Sequence, residues 1–241
     1  METQPKVAFV TGVSGGIGNA LVHQLLANDY FVYGIGRSNS INEKNYQFIP
    51  IDLRKPDAVN HFNFPQVPAN AYLLVNNAGI IGEILPVGEL SSVHFSDVMQ
   101  VNATAPQVLI NTFIQTFSRQ LVPLHVLNIS SGAGKRPIDA WASYCASKAA
   151  LDLFSETVKQ EMEMRGHQNF FMHAVAPGVV DTAMQNKIRE ASPEKFKASQ
   201  RFHDLKNNNE LVSPAHVAEK LMHLISNPST YENCLLSLSD I

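Results

Sequence analysis

The stretch KVAFVTGVSGGIGNALVHQLLAN, residues 6–28, decides the fold. Its first six residues, KVAFVT, are almost continuously apolar, as in a strand covered on both faces of a sheet. Residues 18–28 place apolar side chains at helical spacing. Between strand and helix lies VTGVSGGIG, with Gly12, Gly16 and Gly18 spaced TGxxxGxG and Ser14 and Ile17 among them. Glycines in a β-turn-α unit permit a tight turn and let backbone N–H groups approach a phosphate. The dipole of the following helix then holds the anion. Gly12, Ser14, Gly16, Ile17 and Gly18 are therefore candidate cofactor contacts.

The same alternation continues along the chain. Residues 31–36 (FVYGIG), 48–51 (FIPI), 72–75 (YLLV), 124–129 (LHVLNI), 170–175 (FFMHAV) and 234–238 (CLLSL) read as further strands. Residues 92–117, 143–165 and 214–226 carry the helical period. Strand–helix alternation predicts a doubly wound α/β (Rossmann) fold, one seven-stranded parallel sheet in a single domain over residues 1–241. Residues 181–212 depart from this pattern. They are polar and only partly amphipathic, which predicts a lid over a substrate site.

Composition narrows the function. The chain has 241 residues, 45% hydrophobic and 16% charged, enough for one domain with a sizeable core. Its net charge of −3 and lack of a basic block argue against nucleic acid or an anionic membrane as partner. No run of apolar residues is long enough to cross a bilayer, and METQPKVAFVTG does not read as a signal peptide. Two cysteines, Cys145 and Cys234, make no disulfide framework, and a cytoplasmic protein is expected. The nine histidines, scattered from His23 to His223 with no HExxH or Cys/His cluster, predict solvated or singly bonded rings and no metal site.

Ligands of such sheets bind at the carboxyl ends of the strands. The second strand ends in Arg37-Ser38 with no acid nearby in sequence, so a guanidinium stands ready for a 2′-phosphate and NADPH is favoured over NADH. Asp52-Leu53 closes the third strand, where a carboxylate suits an adenine amino group. Asn76-Asn77-Ala78-Gly79 closes the fourth, where Asn77, Ala78 and Gly79 let a cofactor lie on the backbone.

The chemistry gathers in SGAGKRPIDAWASYCASK, residues 131–148. Tyr144 and Lys148, four residues apart at the start of a helix, share one face. Chance alone yields ~0.3 YxxxK pairs in a chain of this composition, so the whole constellation carries the signal. Ser131 ends the fifth strand thirteen residues before Tyr144, and Asn102 lies in the helix after the fourth. Strand alternation aims the rival Ser130 at the opposite face. Carbonyl reduction needs hydride at carbon and a proton at oxygen. A free phenol titrates near ~10; a nearby ammonium and the charge of oxidised nicotinamide lower that value. Ser131 can donate to the oxygen on which negative charge develops. Cys145 has no base placed for it and reads as a buried inert thiol. Trp141 either walls the substrate pocket with Met184, Phe196 and Phe202 or packs the core; both readings stay open.

On the glycine motif, Asn-Asn-Ala-Gly, the Ser–Tyr–Lys set and Pro177-Gly178, the chain is identified as a member of the classical short-chain dehydrogenase/reductase family. WASYCASKAALDLF and APGVVDTAMQ resemble sepiapterin reductases and the bacterial benzil reductases, and SQRFHDLKNNNELVSPAHVAEKL resembles the latter. The resemblance implies Tyr144 as acid–base, Ser131 orienting the carbonyl, and Lys148 holding the nicotinamide ribose and tuning Tyr144. It implies that Asn102 holds a water relaying protons to Lys148, and that Val180 and Thr182, after Pro177-Gly178, meet the nicotinamide carboxamide and phosphates. It further implies an NADPH-dependent reductase of a small dicarbonyl or sepiapterin-like ketone, and a homodimer through residues 92–117 and 143–165.

Two positions depart from the resemblance. Gly15 stands where many NADPH-preferring relatives carry a basic residue, and Ser237 stands where sepiapterin reductases carry an aspartate, with Asp240 three residues on. Two other functions compete. A cofactor-binding sensor or scaffold of the same fold should have lost Tyr144 or Lys148, and an NAD-linked alcohol dehydrogenase should carry an acid near Arg37.

Overall fold

The computed structural model describes residues 4–241; Met1–Thr3, the start of the stretch examined for a signal peptide, lie outside the described residues. Lys6–Thr11 forms strand β1, followed by β2 (Tyr30–Gly36), β3 (Tyr46–Pro50), β4 (Ala71–Asn76), β5 (Leu124–Ile129), β6 (Phe170–Ala176) and β7 (Leu235–Ser237). The helices are α1 (Gly16–Ala27), α2 (Pro56–Asn60), α3 (Ser92–Met99), α4 (Ala105–Phe117), α5 (Ala142–Met164), α6 (Ala183–Arg189), α7 (Ser199–Asn207) and α8 (Pro214–Ser226). The sheet order is β3-β2-β1-β4-β5-β6-β7 and every pairing is parallel. This is the expected seven-stranded, doubly wound sheet.

Period-two alternation in β1 splits its side chains between two cores. Val7 and Phe9 join Tyr72, Leu74, Phe113 and Phe117 beneath α4 and α5, whereas Ala8 and Val10 join Leu21, Leu25, Leu221 and Leu224 beneath α1 and α8. Phe113 and Phe117 are fully buried, each worth about 1.5–3 kcal/mol relative to exposure. Strand order reverses at β1, so the carboxyl ends of β1 and β4 flank the crevice where ligands of such sheets bind.

Several expected elements are corrected. Residues 92–117 are not one helix: α3 and α4 are separated by a π-helical segment, Gln100–Thr104, which contains Asn102. Pro106 has no N–H to give to the carbonyl four residues back, that of Asn102, so the regular α-helical ladder cannot run through this point. β2 and β3 begin one and two residues earlier than the apolar runs suggest, and β7 is shorter, Leu235–Ser237. Segment 181–212 contains α6 and α7, and its base is closed by a parallel bridge between Val180 and Val212.

Candidate active site

The glycine-rich turn is built around close approach. A Cβ on Gly18 would lie 2.3 Å from both Asn77 Nδ2 and the Gly12 carbonyl oxygen, so only glycine fits. Asn77 Nδ2 donates to the carbonyls of Thr11 (2.9 Å) and Gly12 (3.0 Å), stapling the end of β4 to the turn. Thr11 Oγ1 accepts from the backbone N–H groups of Asn77 and Ala78, both at 3.0 Å. Ile17 and Gly18 are buried under the turn and Ser14 is exposed. Gly15, at the N-cap of α1, offers no side-chain cap to the first-turn N–H groups, and the space where its Cβ would stand is open. An uncapped twelve-residue helix facing an open cradle fits a dinucleotide pyrophosphate.

Arg37 and Ser38 are exposed at the end of β2. Although no acid neighbours Arg37 along the chain, the sheet brings Asp52 within its electrostatic reach. Asp52 is gripped by Arg54, whose Nη2 and Nε donate to its carboxylate at 2.6 and 3.1–3.2 Å. That bonding holds its carboxyl down at about 2, with Arg37 adding to the effect. Arg54 was not singled out in the sequence; its spacing from Asp52 in the turn after β3 is the signal that could have found it. Arg54 also lies in the field of Asp97, and Leu53 is buried.

Ser131, Tyr144, Lys148 and Asn102 come together at the ends of β4 and β5. Tyr144 is buried, and burial pushes its phenol up to about 12, partly offset by the nearby Ser131 hydroxyl. Desolvation thus sets the direction, opposite to the lowering expected from a neighbouring ammonium, and the group is a phenol at neutral pH. Lys148 Nζ lies 5.8 Å from the Tyr144 ring centroid and donates to the Ile129 carbonyl at 2.7 Å. Burial brings its ammonium down to about 8, against the opposing charge of Asp152. The Asn102 amide closes a two-way pair with the Ile80 backbone, both bonds 2.8 Å, and donates to Ser147 Oγ at 3.1 Å. A Cβ on Gly79 would lie 3.4 Å from Asn102 Oδ1 and 3.8 Å from Lys148 Nζ, so both groups border the same floor.

After β6 the chain passes through Pro177 and Gly178, the latter with φ +79°, to Val180. Thr182 precedes α6 and its Cγ2 sits 3.1 Å from where a Gly16 Cβ would be, which joins the base of segment 181–212 to the glycine turn. Trp141 stacks on Phe196 with centroids 5.5 Å apart and planes 22° apart, and meets Tyr144 edge-on at 5.6 Å. Phe202 and Met184 pack in the same cluster. Trp141 therefore packs the segment and borders Tyr144 at once.

Three histidines are buried; His94 and His125 are singly bonded, within the expectation, whereas His173 is bonded at both ring nitrogens. His125 and His173 are buried and bonded to each other across β5 and β6 at 2.9 Å, and buried His94 accepts from the Glu83 N–H at 2.9 Å. Cys145 is half-buried, not buried. Among the described residues no helix is long and apolar enough to cross a membrane.

A glycine-lined cradle on one side of the crevice and a Ser–Tyr–Lys set with buried tyrosine and lysine on the other define a class of protein, the Rossmann-type nicotinamide oxidoreductases. The chain belongs to the short-chain dehydrogenase/reductase family, whose members bind a nicotinamide cofactor: a family model described as short chain dehydrogenase matches residues 6–193. Benzil reductase ((S)-benzoin forming) from Bacillus cereus is 34% identical over 236 residues, covering 91% of this chain and 94% of that one. An NADPH-dependent pterin aldehyde reductase from Arabidopsis thaliana is 27% identical over 190 residues, 74% of this chain and 76% of that one. The crystal structure of a short chain dehydrogenase/reductase from Saccharomyces cerevisiae superposes with a TM-score of 0.81 at 26% identity, covering 97% of this chain and 96% of that one. The protein is an oxidoreductase acting on carbonyl compounds, near the benzil and pterin reductases.

Proposed function

We propose that the protein is an NADPH-dependent reductase of a small vicinal dicarbonyl, benzil-like in shape. The observation that carries this reading is the convergence of the buried Tyr144 phenol, the Ser131 hydroxyl that favours its ionisation, and Lys148 anchored to the Ile129 carbonyl. Bound along the crevice, reduced nicotinamide supplies the hydride. Tyr144, protonated up to about 12, gives its proton to the carbonyl oxygen. Ser131 donates a hydrogen bond to that oxygen as negative charge gathers there. Lys148 stabilises the phenolate left behind, which raises the acidity of Tyr144 at the moment of transfer.

The cofactor contacts follow the strand ends: Gly12, Ser14, Gly16, Ile17 and Gly18 for the pyrophosphate, Asp52 and Leu53 for the adenine, Asn77, Ala78 and Gly79 along the floor. Pro177, Gly178, Val180 and Thr182 border the nicotinamide end. Arg37 and Ser38 select the 2′-phosphate, and Arg54 supports this choice by neutralising Asp52. Asn102 orders the floor beside Lys148 and holds the relay water.

Residues 181–212 act as the substrate lid. Trp141, Phe196 and Phe202 make an aromatic wall that suits a flat apolar diketone. A pterin is the poorer fit, because Ser237 stands where an aspartate would hold it, and Asp240 turns its Oδ2 back to the Ser237 N–H (2.6 Å) and hydroxyl (2.8 Å). Exposed Val93 and Phe95 on α3 and Leu153 on α5 support a homodimer through these packed helices. Two free cysteines accord with a cytoplasmic setting.

The test is NADPH oxidation followed with benzil, an aliphatic diketone and sepiapterin. Turnover fastest on benzil is expected. Tight NADPH binding without turnover of any carbonyl would favour a sensor instead.

A further inference from the structure

Tyr144, Lys148 and Asp152 follow one another at intervals of four on α5 and so share one helix face. The two charged groups are almost wholly buried, Lys148 at 4% and Asp152 at 6% exposure. Consecutive residues at the end of β5 take hold of both: the Ile129 carbonyl accepts from Lys148 Nζ, and the Ser130 hydroxyl donates to Asp152 Oδ1 in a short hydrogen bond. From the other side the turn Gly132–Gly134 closes over the carboxylate. A Cβ on Gly134 would stand 2.8 Å from Asp152 Oδ2 and 3.0 Å from the Lys148 carbonyl carbon, so a side chain there would push the turn off the helix.

We propose that Asp152 is a positioning residue for the proton-transfer pair: it is the counter-charge against which Lys148 works, and through Ser130 it anchors α5 to the end of β5. The proposal rests on Lys148 acting as described above. A buried ammonium keeps its proton only if negative charge lies near, and a carbonyl supplies a partial charge at most. Asp152 is the carboxylate whose field reaches Lys148, opposing the effect of burial. The carboxylate itself faces Ser130 from β5, Lys148 and Glu156 along α5, and Lys135 beyond the turn; burial pushes its carboxyl above the ordinary aspartate value and Glu156 adds to this, while the Ser130 bond and the two lysines oppose the rise and favour the charged form. Ser130, set aside in the sequence as facing the wrong way, is thus the link that aims the carboxylate.

Asp152→Asn tests this, since it keeps volume and an acceptor for Ser130 but removes the charge. Two measurements are needed on the full-length protein: the pH profile of kcat/KM, and the NMR titration of 13Cε-labelled lysine, with the Lys148 signal assigned from the Lys148→Met spectrum. Both the alkaline limb and the Lys148 titration should move downward by about one pH unit, giving roughly tenfold slower turnover at alkaline pH with NADPH affinity retained. Asp152→Glu, which keeps the charge, should stay near wild type. A folded Asp152→Asn whose lysine titrates as in wild type would overturn the proposal. If that variant does not fold, Ser130→Ala takes its place: a smaller shift in the same direction is expected, and an unmoved titration overturns the proposal equally. The NMR titration needs no substrate. A shifted lysine in an inactive enzyme therefore refutes the reductase reading alone, and an unmoved lysine in an active one refutes this proposal alone.

Discussion

The Lys148 ammonium is bonded to the Ile129 carbonyl at 2.7 Å, which ties the helix that carries Tyr144 to the strand that presents Ser131. Together with the Ser130–Asp152 bond, this contact holds the proton donor against the carbonyl-orienting hydroxyl. It also places a buried cation whose charge is lost as pH rises through about 8, whereas Tyr144 stays a phenol to about 12. The kcat/KM for carbonyl reduction should therefore be level at neutral pH and fall above about 8, governed by Lys148. A profile still level well above that value would remove Lys148 from the mechanism.

Cofactor choice turns on charge at the end of β2. Replacing Arg37 with Asp reverses that charge beside the proposed 2′-phosphate, and the ratio of kcat/KM for NADPH to that for NADH should drop at least about tenfold. Arg54→Gln should lower the ratio less and in the same direction, because it frees the Asp52 carboxylate now held at 2.6 Å. An unchanged ratio in both variants would show that selection lies elsewhere.

Phe196 is fully buried against Trp141, and truncating such a phenylalanine costs about 3–5 kcal/mol of local packing. The cluster is separate from the two main cores, so the loss should loosen segment 181–212 more than the whole fold. Phe196→Ala is expected to raise KM for benzil several-fold, leave KM for NADPH nearly unchanged, and speed proteolysis within the segment. Equal increases in both KM values would contradict the lid assignment.

The buried histidine pair makes the fold acid-sensitive. His173 Nε2–H donates to the Tyr231 carbonyl at 3.0 Å, so its Nδ1 accepts from His125 Nε2–H at 2.9 Å and neither ring carries a charge. Burial holds both below the ordinary histidine value of 6.5. The unfolded chain then takes up protons first. The contribution of the pair is complete above about 6.5 and is lost as pH falls toward the folded-state values. Denaturant midpoints should decline below that pH, and His125→Leu should make the decline shallower; an identical slope would exclude the pair as its source.

Most of the sheet was legible in the chain, because the central strands are covered on both faces and read as apolar runs: LHVLNI is buried at all six positions, whereas the edge strand β3 has none buried. The nucleotide cradle was legible for the same local reason, as turn chemistry is written in adjacent residues. What escaped needed partners distant in sequence. Pro106 widens a helix at Asn102 without disturbing the apolar period that made residues 92–117 look continuous. His125–His173 and Ser130–Asp152 are polar pairs joined across the sheet or between strand and helix, where no periodicity marks them. The segment 181–212 hid its two helices because their burial comes from Trp141, outside the segment.

The central claim is that Tyr144 delivers the proton during NADPH-driven reduction of a dicarbonyl. The direct measurement is the loss of NADPH absorbance with benzil for wild type and Tyr144→Phe, paired with NADPH affinity by fluorescence. Wild type should turn over, and Tyr144→Phe should fall by about 10²–10⁴-fold with cofactor affinity nearly intact. A Tyr144→Phe enzyme that reduces benzil at the wild-type rate would contradict the account.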